Sequence, residues 1–276
     1  MQLFSSWTGG DFLLFYAVLL GFSGIAAWWI PANLRQAGRR SVPDDLESIA
    51  MLAGGRTRLT DSLLADLYVR GVLVEAGKDS LAVADATLPL TPAAKILLSS
   101  GGPLTLADAR KQIVLHADRV AARLQRAGLM LRPEEYTQLR WLSIAPFIAL
   151  LVVGIYRQRA GSALGEPTGF LVALLVLTAG LAIFRFAKAD PRTAAGIAAI
   201  KALRADNGRF SRAPRADEAA MAVALFGSGV LVGTPWEPVH AMRQKDSGGG
   251  DGSGGDSDGG GDGGGDGGGG CGGCGG

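Results

Sequence analysis

Three uncharged apolar stretches constrain this chain more than any other feature: Phe12 to Ile30, Trp141 to Tyr156 and Phe170 to Phe184. A helix rises about 1.5 Å per residue, so the first covers about 28 Å, close to the hydrocarbon thickness of a bilayer. The other two are shorter. They are flanked by Arg140, Arg157, Arg159 and Arg185, whose long side chains can reach the interface. Each run is apolar all round, with no polar stripe of the kind a surface helix needs. Trp28 and Trp29 close the first run, where indole rings favour the membrane interface. Met1 to Asp11 carries no Lys or Arg, so the positive n-region of a cleaved signal is missing and a retained helix is expected. Pro146 falls inside the second run, where a membrane helix tolerates it. Arg157 to Gly169 contains Gly161, Gly165 and Pro167, so it reads as a turn that makes the second and third spans a hairpin.

Charge sets the expected orientation. Arg35, Arg39 and Arg40 follow the first span and no basic residue precedes it. The positive-inside rule then puts the N-terminus out and the next domain in the cytosol. Arg132, Arg140, Arg185, Lys188 and Arg192 agree, while Arg157 and Arg159 sit in the outer loop. The expected order is an outer N-terminus (1–11), a first span (12–30), a cytosolic helical domain (31–140) and a second span (141–156). An outer loop (157–169), a third span (170–186), a second cytosolic helical region (187–245) and a Gly/Asp/Cys tail (246–276) follow. Formal charge is +3 over 31–140, +5 over 185–245 and −6 over 246–276. A basic body with an acidic tail suits a protein beside an anionic membrane surface.

The domain after the first span reads as helical. Asp44 with Glu47 forms a capping box that opens a helix toward Leu52, and Gly54 and Gly55 end it. Leu59, Leu63, Leu64 and Leu67 give Thr57 to Arg70 an apolar face at helical spacing. Val72 to Ala76 and Ser80 to Ala84, around Gly77, read as a short hairpin. Thr91 to Ser99, with Pro92 in its first turn, is a further helix. Thr105 with Asp108 caps a long one that Gly128 closes. Helix, helix, hairpin is the order of a winged helix, and Leu67 to Val74 echoes Leu124 to Leu131. The candidate recognition face is expected to show Asp61, Ser62 and Asp66 beside Arg58, with only Lys78 on the wing. Those aspartates oppose phosphate, so no nucleic acid is expected and a protein partner fits better.

Asp190-Pro191 reads as an N-cap followed by proline at N1. The helix it opens ends at Asn207-Gly208, with Ile197, Ile200 and Leu203 on one face. It either lies at the lipid interface or packs on the cytosolic domain. Ala219 to Gly233 is a fourth apolar stretch, interrupted by Gly227, Gly229 and Gly233, and reads as a cytosolic or interfacial helix and turn. The expected fold is mainly α: three transmembrane helices, a small winged-helix-like cytosolic domain and a disordered tail.

Little in the sequence points to catalysis. His116 and His240 are the only histidines, and His116 falls between Ile113 and Val120 on an apolar stripe. No zinc-protease, phosphate-loop or nucleophile-elbow motif occurs. No cofactor is expected. Gly248 to Gly276 contains only Gly, Asp, Ser and Cys and cannot offset its ordering entropy by burying apolar surface. Cys271 and Cys274 form one C-x-x-C. Two ligands half-fill a tetrahedral zinc site, and polyglycine offers no helix N-terminus to lower a thiol pKa. They are the weak candidates for a metal or redox site.

Leu52–Gly55, Leu67–Leu73, Val223–Gly227 and Cys271–Gly276 together resemble a family of uncharacterised bacterial membrane proteins with a low-complexity Gly/Cys-rich C-terminal tail. That resemblance implies a bacterial inner-membrane location and no established activity. Leu63 to Leu90 also resembles the helical phosphoinositide-binding domain of Golgi phosphoproteins, over too short a stretch to carry a ligand across. Membrane anchoring without a catalytic constellation points to a binding or scaffold protein. Its partners would be the lipid bilayer and a protein at the cytosolic face. The alternatives are an accessory subunit of a transport or secretion assembly, and a metal or redox role of the tail. The spans as read carry no charge, which disfavours a transporter in its own right.

Overall fold

A computed structural model describes residues 9–39, 41–77, 80–85, 87–99, 101–163 and 169–248. The 1–8 segment, Arg40, Lys78, Gly165, Pro167, Cys271 and Cys274 lie outside them.

The three apolar stretches form α1 (Gly9–Leu34), α5 (Pro133–Ala163) and α6 (Gly169–Ala187). All three are long and apolar enough to cross a membrane. They pack on one another through narrow seams. Phe12, Tyr16, Leu150 and Leu171 form one cluster, and Ala27, Phe147 and Ala182 another. Gly154 of α5 sits where the three helices meet, and a Cβ there would lie 2.7 Å from both Tyr16 and Leu175. Tyr16 Oη is 3.2 Å from Thr178 Oγ1 across the seam. The outer faces carry exposed Leu14, Val18, Phe22, Val176 and Ile183, a surface that suits hydrocarbon and not water.

The turn expected from Arg157 begins later. Helix α5 continues to Ala163, because no residue between Arg157 and Ala163 breaks it, and Gly161 by itself only weakens a helix. Arg157 is 7 % exposed and its guanidinium lies 5.8 Å from the Phe12 ring centre. It therefore closes one end of the bundle instead of projecting from a loop. Arg140 lies 17 residues earlier on α5, about 26 Å away at 1.5 Å per residue, and marks the other end. Its Nε donates to the Phe186 carbonyl at 3.1 Å, and Arg185 Nε donates to the Ala27 carbonyl at 3.0 Å. These arginines satisfy backbone acceptors where the helices leave the apolar layer.

The remaining elements build a second region, the helical body. It comprises α2 (Leu46–Val69), β1 (Leu73–Glu75), β2 (Leu81–Val83), α3 (Pro92–Leu98) and α4 (Leu106–Arg126). The chain returns to it as α7 (Ala194–Asp206), α8 (Ala219–Phe226), a 3-10 turn (Ser228–Leu231) and α9 (Glu237–Gly248). Strands β1 and β2 pair antiparallel with Val74 opposite Ala82, and Leu81 bridges to Leu104. The helix ends expected at Thr91 and Thr105 form, each hydroxyl accepting the amide three residues on. Two caps shift. Asp45, not Asp44, accepts from the Ser48 amide at 3.1 Å, which frees Glu47 for His116. Thr193, not Asp190, caps α7 through the Gly196 amide at 3.1 Å, because Asp190 is occupied by the Arg192 guanidinium.

Gly54 and Gly55 divide α2 into two helical halves. Gly55 holds φ +68°, ψ −158°, a conformation open only to glycine. The second half packs against α8, whose Ala219, Ala222, Val223, Ala224 and Leu225 are fully buried. Full burial of Val223 and Leu225 contributes about 1.5–3 kcal/mol each. The fourth apolar stretch is thus the middle of the body's core, and at eight residues α8 is too short to span. Helix α7 also packs on the body, with Ile200 buried in the same cluster. The two segments expected as separate cytosolic regions share one hydrophobic core, running from Ile49 and Ile113 to Val223 and Met242.

Backbone hydrogen bonds tie together the segments that join the body to the spans. The Ala194 and Ala195 amides donate to the Gln36 and Ala37 carbonyls. The Arg39 amide donates to Gly128 O, and the Leu131 amide to Pro191 O. Arg35 Nη1 reaches the Arg192 carbonyl at 2.5 Å. All three chain crossings between bundle and body are therefore tied in one knot.

Candidate functional site

The packing of α8 decides what the expected recognition face does. Arg58, Asp61 and Ser62 were expected to be exposed; they are 7 %, 2 % and 0 % exposed. An α8 that is apolar all round needs cover on every side, and this face of α2 supplies part of it. Asp66 is half-buried and pairs with Arg70 at 3.0 Å. The α2 face carrying Arg58, Asp61 and Ser62 is therefore not a free polar surface.

The buried polar groups form a network between α2 and α9. Asp61 Oδ2 accepts from Arg243 Nη1. Arg58 Nη1 points at the Val223 carbonyl, 3.4 Å away. Burial pushes the Asp61 carboxyl above its ordinary range, opposed by Arg243, Arg110 and Arg58 nearby. Beside the network opens a cavity of about 290 Å³, lined by Arg58, Gly227, Ser228, Gly229, His240, Arg243 and Gln244. Gly227 holds φ +98°, and a Cβ there would lie 3.1 Å from the Arg58 guanidinium. The 3-10 turn after it carries Ser228 inward, so that Ser228 Oγ lies 3.1 Å from His240 Nδ1.

Chemically this lining is rich in donors. It holds two guanidinium groups, an imidazole, a hydroxyl and a side-chain amide, and no carboxylate. The Ser228–His240 separation is that of a nucleophile and its base, but the lining has no carboxylate to orient the imidazole as a triad requires. The arrangement suits binding of an acceptor-rich or anionic group.

His116, which the sequence places on an apolar stripe, lies elsewhere. His116 Nε2 is 2.7 Å from Glu47 Oε2, with Arg123 3.8 Å from the same carboxylate. This is a satisfied histidine joining α4 to the start of α2, away from the cavity. No group of three or more His, Cys, Asp or Glu placed to hold a metal ion occurs among the described residues. The residues that sequence reasoning missed are Ser228, His240 and Arg243. The one signal was indirect: α8 has no polar side and had to be covered all round, but nothing local marked which residues would stand beside it.

The chain matches no protein-family model, no curated protein and no solved structure. Geometry and chemistry alone bear on its function.

Proposed function

We propose that this chain is a bacterial inner-membrane protein, N-terminus out, that works by binding a protein partner through its cytosolic helical body. The observation that carries the reading is the donor-rich cavity between α2 and α9, on a body whose connections to the spans are tied together by backbone hydrogen bonds. A partner docking there would offer a carboxylate or a run of carbonyls to Arg58, Arg243 and His240. Charge-assisted hydrogen bonds of this kind are the strong ones. A body fixed rigidly to its anchor would hold that partner at a set distance from the membrane. The three candidate spans, with Arg35 and Arg39 after the first and Arg185, Lys188 and Arg192 after the third, support the location.

Purification of the full-length protein in mild detergent tests the reading, with His240→Ala and Gln244→Glu alongside. A stoichiometric partner should copurify with the wild type and be lost from both rim variants. A monomer with no specific partner, or a partner retained by both variants, would remove this site from the account. Labelling of cysteines introduced at Asp217 and at Asp11, from each side of intact cells, tests the orientation.

A second reading is an accessory subunit of a larger membrane assembly. The exposed stripe Leu14, Val18, Phe22 and Ile25 on α1 favours it, since another membrane helix could cover it. It predicts copurification with larger membrane proteins that survives the cavity variants.

A further inference from the structure

A second cavity lies where the bundle meets the body. It measures about 210 Å³, and its walls come from the end of α1 and the start of α5. On α5 the lining residues are Glu135, Gln138, Leu139 and Leu142, the i, i+3, i+4, i+7 set that shares one helix face. Along that face the chemistry changes from polar to apolar over about 10 Å at 1.5 Å per residue. On the other wall α1 ends at Leu34, and the chain continues through Arg35 and Gln36. Leu34, Leu139 and Leu142 line the end toward the spans, and Arg35, Gln36, Glu135 and Gln138 the end toward the body, where Leu131 adds one apolar side chain. Leu34 and Leu142 remain exposed at the mouth. Trp141, the neighbour of Leu142, is exposed as well, and exposed tryptophan marks the headgroup level of a membrane protein.

The polar end carries one carboxylate and one guanidinium. Glu135 Oε2 accepts the Arg132 amide at 3.0 Å, which leaves its second oxygen for another donor. Asp190, 3.6 Å from Arg35, also carries Arg192, so the charges of the cavity's own lining are one anion, Glu135, and one cation, Arg35. A purely anionic headgroup is poorly matched here, whereas a zwitterion carrying an N–H cation and a phosphate is matched at both ends.

We propose that this cavity is a site for one phospholipid with a primary-ammonium zwitterionic headgroup. Its ammonium donates to Glu135, its phosphate lies toward Arg35 and the Gln36 and Gln138 amides, and an acyl chain runs past Leu139 and Leu142. The site requires only that the three spans insert, and stands or falls independently of any partner at the α2–α9 cavity.

The test uses full-length protein delipidated in detergent and titrated with three lipids of equal chain length. These are phosphatidylethanolamine, phosphatidylcholine, whose quaternary ammonium has no N–H, and phosphatidylglycerol. The readout is the melting midpoint together with the lipid retained in native mass spectrometry. Phosphatidylethanolamine should raise the midpoint most and leave one bound lipid. Glu135→Gln keeps an acceptor for the Arg132 amide and should abolish that preference. Leu139→Asn should weaken retention of all three lipids. Equal shifts with the three lipids, a preference for phosphatidylglycerol, no shift at all, or an ethanolamine preference that survives Glu135→Gln would each overturn the proposal.

Discussion

The bundle and the body are both rich in apolar residues and place them in opposite ways. In the body, Leu59, Leu63, Val223 and Leu225 turn inward and make one continuous core with α4 and α9. In the bundle, the buried clusters are small, and Phe22, Trp28, Val176 and Ile183 face outward. The difference follows from the solvent each region needs. Water drives apolar groups together. Lipid does not, so helices in a bilayer associate through close packing and a few polar contacts.

Substitutions at matched depths in the two regions test that contrast. Val223→Asp puts a carboxylate in the body's core and is expected to unfold it, a loss above about 4 kcal/mol. Hydrogen exchange should then show α2 and α4 unprotected while α5 and α6 keep their protection. If the whole chain loses protection together, the two regions are one folding unit.

Asp61→Ala removes the carboxylate from the buried pair with Arg243 and should cost about 3–5 kcal/mol. The double variant Asp61→Leu with Arg243→Met should recover most of that loss in denaturant unfolding. Failure to recover would mean the pair is needed for more than burial.

Gly154→Leu acts on the bundle alone. Its side chain would collide with Tyr16 and Leu175, and overpacking of this kind costs about 1–3 kcal/mol. Amides of α1 and α6 should exchange faster, with those of α8 unchanged. Tyr16→Phe removes the contact with Thr178 and should cost only about 0.6 kcal/mol, the usual size of a hydrogen bond between membrane helices. A loss several times larger would mark that contact as a main support of the bundle.

Several elements were legible from local chemistry. The Thr91 and Thr105 caps, the β1–β2 hairpin and the break at Gly54–Gly55 all rest on residues within a few positions of one another. The misplaced caps show the limit of that logic. Asp190 lost its capping role to a neighbour two residues on, Arg192, whereas Glu47 left Asp44 for His116, 69 positions away. The cavity between α2 and α9 was illegible for the same reason, since it joins Arg58 to Ser228 and His240 across more than 160 residues.

By itself the sequence determined that three helices can leave water, because uninterrupted apolar length is a local property that needs no partner to be read. Only the tertiary structure decided that Ala219 to Phe226 is a core helix of the body, and that the face of α2 carrying Arg58 and Asp61 lies beneath it. Burial of a short helix is settled by what packs around it. Here the covering residues stand far away in the chain.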